Sequence, residues 1–451
     1  MRFHSSILTP NLQKREPVIQ ILDAALDAVD PYRAVLNALH VHNGVMHVGE
    51  GQYVLDEYKR IFVLGAGKAG APMTQAIETL LGERITDGLV VTKTDHGGPT
   101  RFVQLVEASH PVPDEAGVEA GRKILKLAQN AGERDLVITL ISGGGSALLV
   151  APAVGLTLDD LQVMTDALLA CGATINEMNC LRKHCSAIKG GQLAAAASPA
   201  TLVTLVLSDV VGNPLDVIAS GPTVPDETTW RDAWTIIEKY GLVEQLPLPI
   251  LGRIQAGLHG KVAETPKPGA DIFAHSQTAI VADNRIAAQA AQTKARALGF
   301  NTLLLTTYLQ GEAKEVAKVA VSLAREARAS GQPVAAPACI ILGGETTVRL
   351  GEAPGQGGRN QELALAAALD MQGMKDVMVA ALATDGTDGP TDSAGGLVDG
   401  DTVRRGQQKG LRAADFLARH DAYPFLEDVS DLLVTGPTQT NVNDLLLIFV
   451  L

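Results

Sequence analysis

The sequence is poor in several residue types that mark particular classes of protein. Aromatic residues make up 4% of the 451 positions, and four cysteines occur. These cysteines show no C-x-x-C spacing, which argues against a disulfide scaffold or a cysteine zinc site. They lie at Cys171, Cys180, Cys185 and Cys339. We expect them to be reduced thiols of a cytoplasmic protein.

Long apolar runs and an excess of positive charge are also missing. No apolar run is long enough to cross a bilayer, and the first residues lack the hydrophobic region of a signal peptide. The formal net charge is −13 and no basic patch stands out. We therefore expect a cytoplasmic protein with no membrane and no nucleic acid among its partners. The oligomeric state stays open, with a homodimer as one alternative.

The abundant feature is glycine at the ends of apolar runs, which is typical of α/β proteins. The chain has 45 glycines and 22 prolines, and 46% of its residues are hydrophobic. An apolar strand at 61–64 is followed by a glycine loop at 65–70, a helix through Leu81 and a second strand at 88–92. This β-loop-α-β order predicts a parallel sheet, to which a fully apolar strand at 135–141 would belong.

A proline-rich segment at 245–270 shows no clear periodicity and divides the chain. We predict an N-terminal Rossmann-like domain over 1–250, with a parallel sheet, and a second α/β domain over 270–451. In the second domain, strands are expected at 279–282, 302–305, 338–342, 377–382 and 445–451.

The loop at 65–70, GAGKAG, satisfies the G-x-G-x-x-G pattern between a strand and a helix. A site for NAD needs an acid at the end of the next strand, where this chain has Thr92 and Lys93. A lysine at this position does not exclude an NADP site. We interpret the loop as an anion-binding turn in which Gly65 and Gly67 allow close approach and Lys68 supplies charge. The alternative is a tight turn with a solvated lysine.

A second glycine loop follows the strand at 135–141. Gly143, Gly144, Gly145 and Ser146 form a candidate N–H cradle for a phosphate or carboxylate. The spacing around Ser146 does not match the G-x-S-x-G pattern of acyl-transfer nucleophiles. A plain loop is the alternative.

A third glycine-rich region lies near the C-terminal end of the strand at 338–342. Glu345 follows one glycine pair, and a second pair presents Arg359 and Asn360 at the start of a helix. A guanidinium at a helix start suits a phosphate or a carboxylate. We predict that this region is half of a phosphate-handling site, whose other half is the loop at 65–70.

Several acidic residues lie at or just beyond the C-terminal ends of predicted parallel strands, where open α/β sheets place ligands. They are Asp209, Glu345, Asp385, Asp388 and Asp392. Carboxylates there can hold Mg²⁺ or accept a hydroxyl proton, and Asp209 and Asp385 are the strongest candidates. Capping or turn formation is the alternative for each.

Basic residues of the segment at 176–197 have two interpretations. Arg182, Lys183 and Lys189 either contribute to a site or form a solvated helix face. His110 and His184 are expected to be structural or surface residues, because nothing in the sequence positions them.

Together these motifs resemble the glycerate 2-kinases whose C-terminal domain is called MOFRL. The matching segments span nearly the whole chain in order, at 65–70, 92–97, 109–115, 142–149, 176–191, 208–223, 343–347, 357–362, 385–392 and 435–444. The resemblance implies two α/β domains, with a MOFRL domain at the C-terminus and an active site in the cleft between them. The chain departs from the family pattern at Asn213, at Gln439 and in the loop 351–356.

The resemblance implies transfer of phosphate from ATP to the 2-hydroxyl of D-glycerate. The family's essential lysine and arginine fall on Lys68 and Arg359. For this reaction Asp209 or Asp385 could accept the hydroxyl proton, with Asp209 as the preferred catalytic residue, and both are candidate ligands of Mg²⁺. The expected substrate- and nucleotide-binding residues are Gly65, Gly67, Gly143, Gly144, Gly145, Ser146, Lys189, Glu345, Asn360 and Asp388.

Two rival functions remain. One is an NAD(P)H-dependent hydroxypyruvate reductase, because relatives carry that label and the glycine loop invites it. The other is a non-catalytic sensor of a sugar acid, for which the cationic residues alone would suffice.

Overall fold

The structure is a computed structural model that describes residues 2–351 and 354–451, so two positions of the loop 351–356 lie outside the described residues. The chain divides into two units. One is Pro31–Val281, and the other joins the residues up to Asp30 to Ala282–Leu451. Each unit contains a six-stranded sheet with helices, which confirms the predicted α/β class.

The elements are numbered in chain order. The helices of the described residues are α1 (Leu12–Ala28), α2 (Pro31–Ala38), α3 (Gly70–Leu81), α4 (Glu115–Gln129), α5 (Gly145–Leu148), α6 (Leu158–Ala170), α7 (Ile175–His184), α8 (Gln192–Ala197), α9 (Trp230–Tyr240), α10 (Leu248–Leu258), α11 (Asn284–Ala297), α12 (Ala313–Ser330), α13 (Arg359–Asp370), α14 (Thr402–Gln408), α15 (Ala413–Ala418) and α16 (Ala422–Asp428). Among the described residues, none of these helices is long and apolar enough to cross a membrane.

The strands of the described residues are β1 (Leu39–His42), β2 (Val45–Val48), β3 (Gly51–Val54), β4 (Arg60–Ala66), β5 (Asp87–Lys93), β6 (Gln104–Ala108), β7 (Asp135–Ile141), β8 (Thr201–Leu207), β9 (Ser276–Ala282), β10 (Asn301–Glu312), β11 (Ala338–Thr347), β12 (Val377–Ala383), β13 (Gly395–Asp399), β14 (Leu432–Leu433) and β15 (Asp444–Val450).

The sheet of the first unit has the order β6-β5-β4-β7-β8-β9. β4 pairs in parallel with β5 and β7, and the outer pairs β5–β6 and β7–β8 are also parallel. This confirms the predicted parallel sheet. Ala66 at the end of β4 pairs with Ile141 at the end of β7. The glycine loops that follow these two strands therefore lie side by side. The carboxyl edge of this sheet therefore collects the first group of candidate residues.

β9 corrects one expectation. The strand predicted at 279–282 was assigned to the second domain, but it lies at the edge of the first sheet, next to β8. Apolar periodicity indicates that a strand exists and not which sheet receives it. The units of the fold change at residues 30/31 and 281/282, outside the segment 245–270.

Four helices, α6, α7, α9 and α10, share a small apolar core in the first unit that includes Leu168, Leu181 and Ile250. Thr157 and Asp160 form a capping box at the start of α6. We expected no regular element over 245–270. This expectation is wrong, because helix α10 lies within that segment. Its proline is at the second helical position, where the missing N–H costs no intrahelical bond.

The second unit has a mixed sheet with the order β10-β11-β15-β12-β13-β14. β15 runs antiparallel to both β11 and β12, so these two strands point the same way without being neighbours. Gly344 of β11 and Ala383 of β12 both pair with Asp444. The ends of β11 and β12 therefore meet the start of β15 at one edge.

The first helix belongs to this second unit. α1 packs against α11, although the sequence-based division places it in the first domain. A further difference is a small antiparallel sheet of β1, β2 and β3 in the first unit, which was not predicted.

Candidate functional site

The loop at 65–70 fits tightly against the loop after β7. Gly65 and Gly67 have φ of +159° and +147°. A Cβ on Gly65 would overlap the carbonyl oxygen of Leu140, and one on Gly67 would overlap Ser142 Oγ. Glycine is therefore required at both positions by the neighbouring strand.

The backbone N–H groups of residues 67–70 are all used within the protein. The N–H of Lys68 donates to the carbonyl oxygen of Gly143 at 2.8 Å, and that of Ala69 donates to Ser142 Oγ at 3.0 Å. The other two donate to backbone carbonyl oxygens. This loop therefore offers a ligand the ammonium group of Lys68 rather than a row of N–H groups.

The loop after β7 has the opposite character. Among the described residues, the N–H groups of Gly143 and Gly144 have no hydrogen-bond acceptor. Gly144 has φ of +81° and precedes the single turn α5. The N–H cradle predicted from the sequence is therefore available here, beside Lys68.

The structure brings three side chains to this cradle. A Cβ on Gly144 would lie 3.0 Å from His110 Cδ2 and 3.3 Å from Lys68 Cγ, and one on Gly143 would overlap the carboxylate of Asp209. Lys68 and Asp209 were predicted to be site residues, and their placement agrees with a shared site. His110 was expected to be structural. A sequence signal for His110 was available but was not used. His110 follows the carboxyl end of β6, which lies at the same edge of the first sheet as the glycine cradle.

The charges of these groups influence one another. Burial raises the pKa of Asp209, and the charge of Lys68 opposes that rise. Burial, followed by repulsion from Lys68 and Lys93, lowers the pKa of His110 to about 4. At neutral pH, His110 is therefore an uncharged hydrogen-bonding group among cations.

Lys189 lies at the other end of the cradle. Its Nζ donates to the carbonyl oxygen of Ser146 at 2.7 Å, and Ser146 Oγ lies 3.0 Å from Ser220 Oγ. Burial, followed by repulsion from Arg182, lowers the pKa of Lys189 to about 7. Because Lys189 is 5% exposed, the interpretation as a solvated face is wrong for this residue.

The second unit holds Arg359 in a fixed orientation. Its Nε and Nη2 donate to Asp444 at 2.5 and 3.0 Å, and Nη1 lies 3.0 Å from Glu345 Oε1. Burial lowers the pKa of Arg359, but the interactions with Asp444 and Glu345 outweigh burial and raise it. Burial raises the pKa of Asp444, and Arg359 opposes that rise.

Asp444, the partner of Arg359, was not among the candidate site residues expected from the sequence. Acids were sought at the C-terminal ends of parallel strands, whereas Asp444 is the first residue of an antiparallel strand. An antiparallel neighbour brings its N-terminal end to the same edge. The register between β11 and β15 was needed to find it.

Asp388 caps helix α13. Its Oδ1 accepts from the N–H of Asn360 at 3.1 Å, and its Oδ2 accepts from the N–H of Gln361 at 2.8 Å. Burial raises the pKa of Asp388 to about 7, and these N–H groups act against that rise. The anion expected at this helix start is thus supplied by the chain, and contact of Asp388 or Asn360 with a ligand stays a prediction.

The candidate metal ligands Asp209 and Asp385 lie in different units. Asp385 Oδ1 accepts a hydrogen bond from the N–H of Thr387 at 3.1 Å. Within residues 2–351 and 354–451, no group of three or more histidine, cysteine or acidic side chains is placed to hold a metal ion. Mg²⁺ that arrives on phosphates needs one or two carboxylates, and a metal role for either residue stays a prediction.

Family models and curated proteins match almost the whole of this chain in sequence. The model described as "Domain of unknown function (DUF4147)" matches residues 18–255, and that of the MOFRL family matches residues 338–444. A glycerate 2-kinase of Pyrococcus horikoshii is 41% identical, with 97% of each chain covered. A protein of Agrobacterium vitis named as a hydroxypyruvate reductase is 43% identical, with 96% of this chain and 94% of that one covered.

The fold comparison agrees with the sequence matches. The crystal structure of a glycerate kinase from Thermotoga maritima superposes with a TM-score of 0.87 at 38% identity, with 97% of this chain and 99% of that chain covered. The chain therefore belongs to the DUF4147/MOFRL family of glycerate 2-kinases, as the resemblance predicted.

Proposed function

We propose that the protein transfers the terminal phosphate of ATP to the 2-hydroxyl of D-glycerate, giving 2-phosphoglycerate and ADP. The observation that carries the proposal is the pairing of Lys68 with the open N–H groups of Gly143 and Gly144. Phosphoryl transfer depends on positioning and charge neutralisation more than on covalent steps. An ammonium beside open N–H groups supplies both for a phosphate oxygen.

Asp209 is the proposed base for the 2-hydroxyl proton. It is half-buried just after the end of β8 and lies against Gly143, and desolvation raises its pKa. A carboxylate with a raised pKa is a better proton acceptor near neutral pH than an exposed one. The charge of Lys68 opposes that rise in the pKa and so favours the ionised carboxylate.

Arg359 is the proposed cationic contribution of the second unit. A guanidinium has five N–H donors, and the contacts with Asp444 and Glu345 occupy three of them. Two donors remain for a phosphate or carboxylate oxygen. Asp444 is buried and Glu345 is exposed, so we propose that Asp444 orients the guanidinium permanently while Glu345 exchanges with a ligand.

Mg²⁺ is proposed to enter with ATP and to neutralise phosphate charge. Asp209 is the candidate ligand in the first unit and Asp385 in the second. One protein carboxylate with phosphate oxygens and waters is an ordinary environment for this ion.

The reductase remains a second candidate because the Agrobacterium vitis relative carries that name. A dinucleotide site would need the N–H groups at 67–70 for a pyrophosphate, and these already have acceptors in the protein. It would also need an acid at the end of β5, where Lys93 stands. Both features favour the kinase.

The test is phosphorus NMR of the purified protein with ATP, Mg²⁺ and D-glycerate. A phosphate ester at the 2-position supports the proposal, and a Lys68→Met sample prepared in parallel excludes a contaminating kinase. Oxidation of NADPH by hydroxypyruvate without any ester would instead support the reductase. Saturable binding of glycerate with neither product would support the sensor.

A further inference from the structure

A group of polar side chains with unused donor capacity lies on the α7 side of the first unit. Asn179 and Arg182 are three residues apart on α7 and therefore share a face of the helix. Ser220 Oγ donates to Asn179 Oδ1 at 3.0 Å and also lies 3.0 Å from Ser146 Oγ. This hydroxyl pair joins the helix face to the end of the glycine cradle.

Three donors in this group have unused capacity. Within residues 2–351 and 354–451, the amide nitrogen of Asn179 has no hydrogen-bond partner, although Asn179 is 2% exposed. Across the part of the chain that the structure describes, the guanidinium of Arg182 has neither an ion pair nor a hydrogen bond. Lys189 has three N–H donors and uses one of them, on the carbonyl oxygen of Ser146.

The neighbouring lysine shows what a structural cation looks like in this fold. Lys183 is also buried, and it forms two ion pairs of 3.2 Å with Asp216 and Asp226. Among the described residues, Arg182 and Lys189 have no such carboxylates. Lys189 is buried and Arg182 is half-buried, and a buried cation without a counter-ion is costly unless a ligand supplies the negative charge. An anion therefore suits this group of donors.

The backbone around Ser220 supports a functional role. Ala219 and Ser220 are consecutive non-glycine residues with φ of +51° and +60°. The N–H of Gly190 donates to the carbonyl oxygen of Ser220 at 2.9 Å and holds this conformation. Such strain persists where the surroundings enforce it, and here it places the Ser220 hydroxyl between Ser146 and Asn179.

The site is close to the phosphate cradle. Gly143 accepts from the N–H of Lys68 at 2.8 Å, and Ser146 accepts from Lys189 Nζ at 2.7 Å. Three residues span at most about 11 Å even when fully extended. This bound places the group of donors beside the cradle at which the phosphate is proposed to bind.

We propose that Arg182, Lys189 and Asn179, with the Ser220 hydroxyl, bind the carboxylate of the acid substrate. The assignment rests on the proposed function, since it names the group of glycerate that is held while the 2-hydroxyl reacts. A planar carboxylate matches the fork of a guanidinium. Lys68 and the open N–H groups of the cradle are left for the phosphate.

The experiment is calorimetric titration of the intact protein with D-glycerate, and separately with MgATP, in wild type and in Arg182→Gln. Loss of a charged hydrogen-bonding pair is expected to raise the Kd for glycerate about 10- to 100-fold. The Kd for MgATP is expected to stay within about twofold of wild type. Arg182→Lys keeps the charge without the fork and is expected to give an intermediate value.

Arg231→Gln is the matched control, because it removes the same charge from an exposed position at the start of α9 in the same unit. It is expected to change neither Kd. If Arg182→Gln does not fold, Lys189→Gln tests the same site, with an expected loss of similar size. KM values for the two substrates give a second readout, in which KM for glycerate rises and KM for ATP does not.

An unchanged glycerate affinity in a folded variant overturns the assignment. Weaker ATP binding with normal glycerate binding overturns it too, because the anion is then a nucleotide phosphate. A wild-type protein that binds glycerate but makes no ester contradicts the kinase and not the site. In that case a weaker binding of glycerate by Arg182→Gln still supports the carboxylate site.

Discussion

Arg15 and Asp431 lie 416 positions apart in the sequence and form an ion pair of 2.7 Å in which neither side chain is exposed. Arg15 also contacts Asp399 at 2.8 Å and donates to the carbonyl oxygens of Ile7 and Ser430. The pair fixes helix α1 to the second unit. It explains why the first thirty residues belong to a unit formed otherwise by the C-terminal part of the chain.

Arg15→Leu is expected to destabilise the protein by about 3–5 kcal/mol, because it breaks a buried ion pair and leaves the carbonyl oxygens of Ile7 and Ser430 without this donor, although Arg405 still pairs with Asp431. Denaturant unfolding measures the effect. Lys14→Leu is the control, since its ion pair with Asp376 is exposed and should contribute less than about 1 kcal/mol. Equal losses of unfolding free energy in the two variants would show that the buried ion pair stabilises the protein no more than the exposed one.

Lys68→Met is expected to lower kcat/KM about 10²- to 10³-fold without changing the free energy of unfolding. The N–H groups of its loop are already bonded within the protein, so the side chain is the group left to act on a ligand. Steady-state kinetics and thermal unfolding test both parts. Lys126→Met, at an exposed position of α4, should retain full activity.

Asp444→Asn is expected to lower kcat/KM about 10- to 100-fold, because a buried charged pair that orients Arg359 is lost. Glu345→Gln removes a single contact from an exposed carboxylate and should cost less than Asp444→Asn. The ratio of the two effects in steady-state assays is the measurement. A larger loss for Glu345→Gln would contradict the orienting role of Asp444.

Lys189→Met is expected to change how stability depends on pH. Burial and Arg182 lower the pKa of Lys189 to about 7, so between about pH 7 and pH 10 the unfolded chain holds a proton that the folded chain has released. Wild-type stability therefore rises with pH across this window, and the folded state carries a buried charge below it.

The variant lacks this group and should be more stable than wild type by up to about 4 kcal/mol near pH 6.5, with the gain shrinking toward pH 10. Denaturant unfolding at several pH values measures the difference. Lys126→Met should show a difference that does not vary with pH. A pH-independent difference for Lys189→Met would mean that Lys189 titrates as an ordinary lysine in the folded protein.

Much of the first unit could be predicted because its strands alternate with helices and end in glycine loops. The positions of Lys68 and Asp209 followed from that order alone. The occupied N–H groups at 67–70 did not, since they depend on β7 lying next to β4. The open N–H groups were therefore expected equally in two loops and are found in the loop at 143–144.

The second unit was harder to predict because its sheet is mixed. The strand that ends the chain lies between β11 and β12, and no local pattern specifies that position. Asp444 and its contact with Arg359 depend on this register. Asp388 shows the reverse case, in which the expected residue is present but its carboxylate oxygens bond the start of α13.

The burial of Arg15 has a consequence for the order of events during translation. Its carboxylate partner Asp431 is made 416 residues later, so at about 5–20 residues per second α1 waits roughly 20 to 80 s for it. Before Asp431 is made, the whole of Pro31–Val281 has been synthesised. This continuous segment can form its own core. A chain stopped before Asp431 leaves Arg15 without this acceptor, with Asp399 and the carbonyl oxygen of Ile7 as its remaining partners.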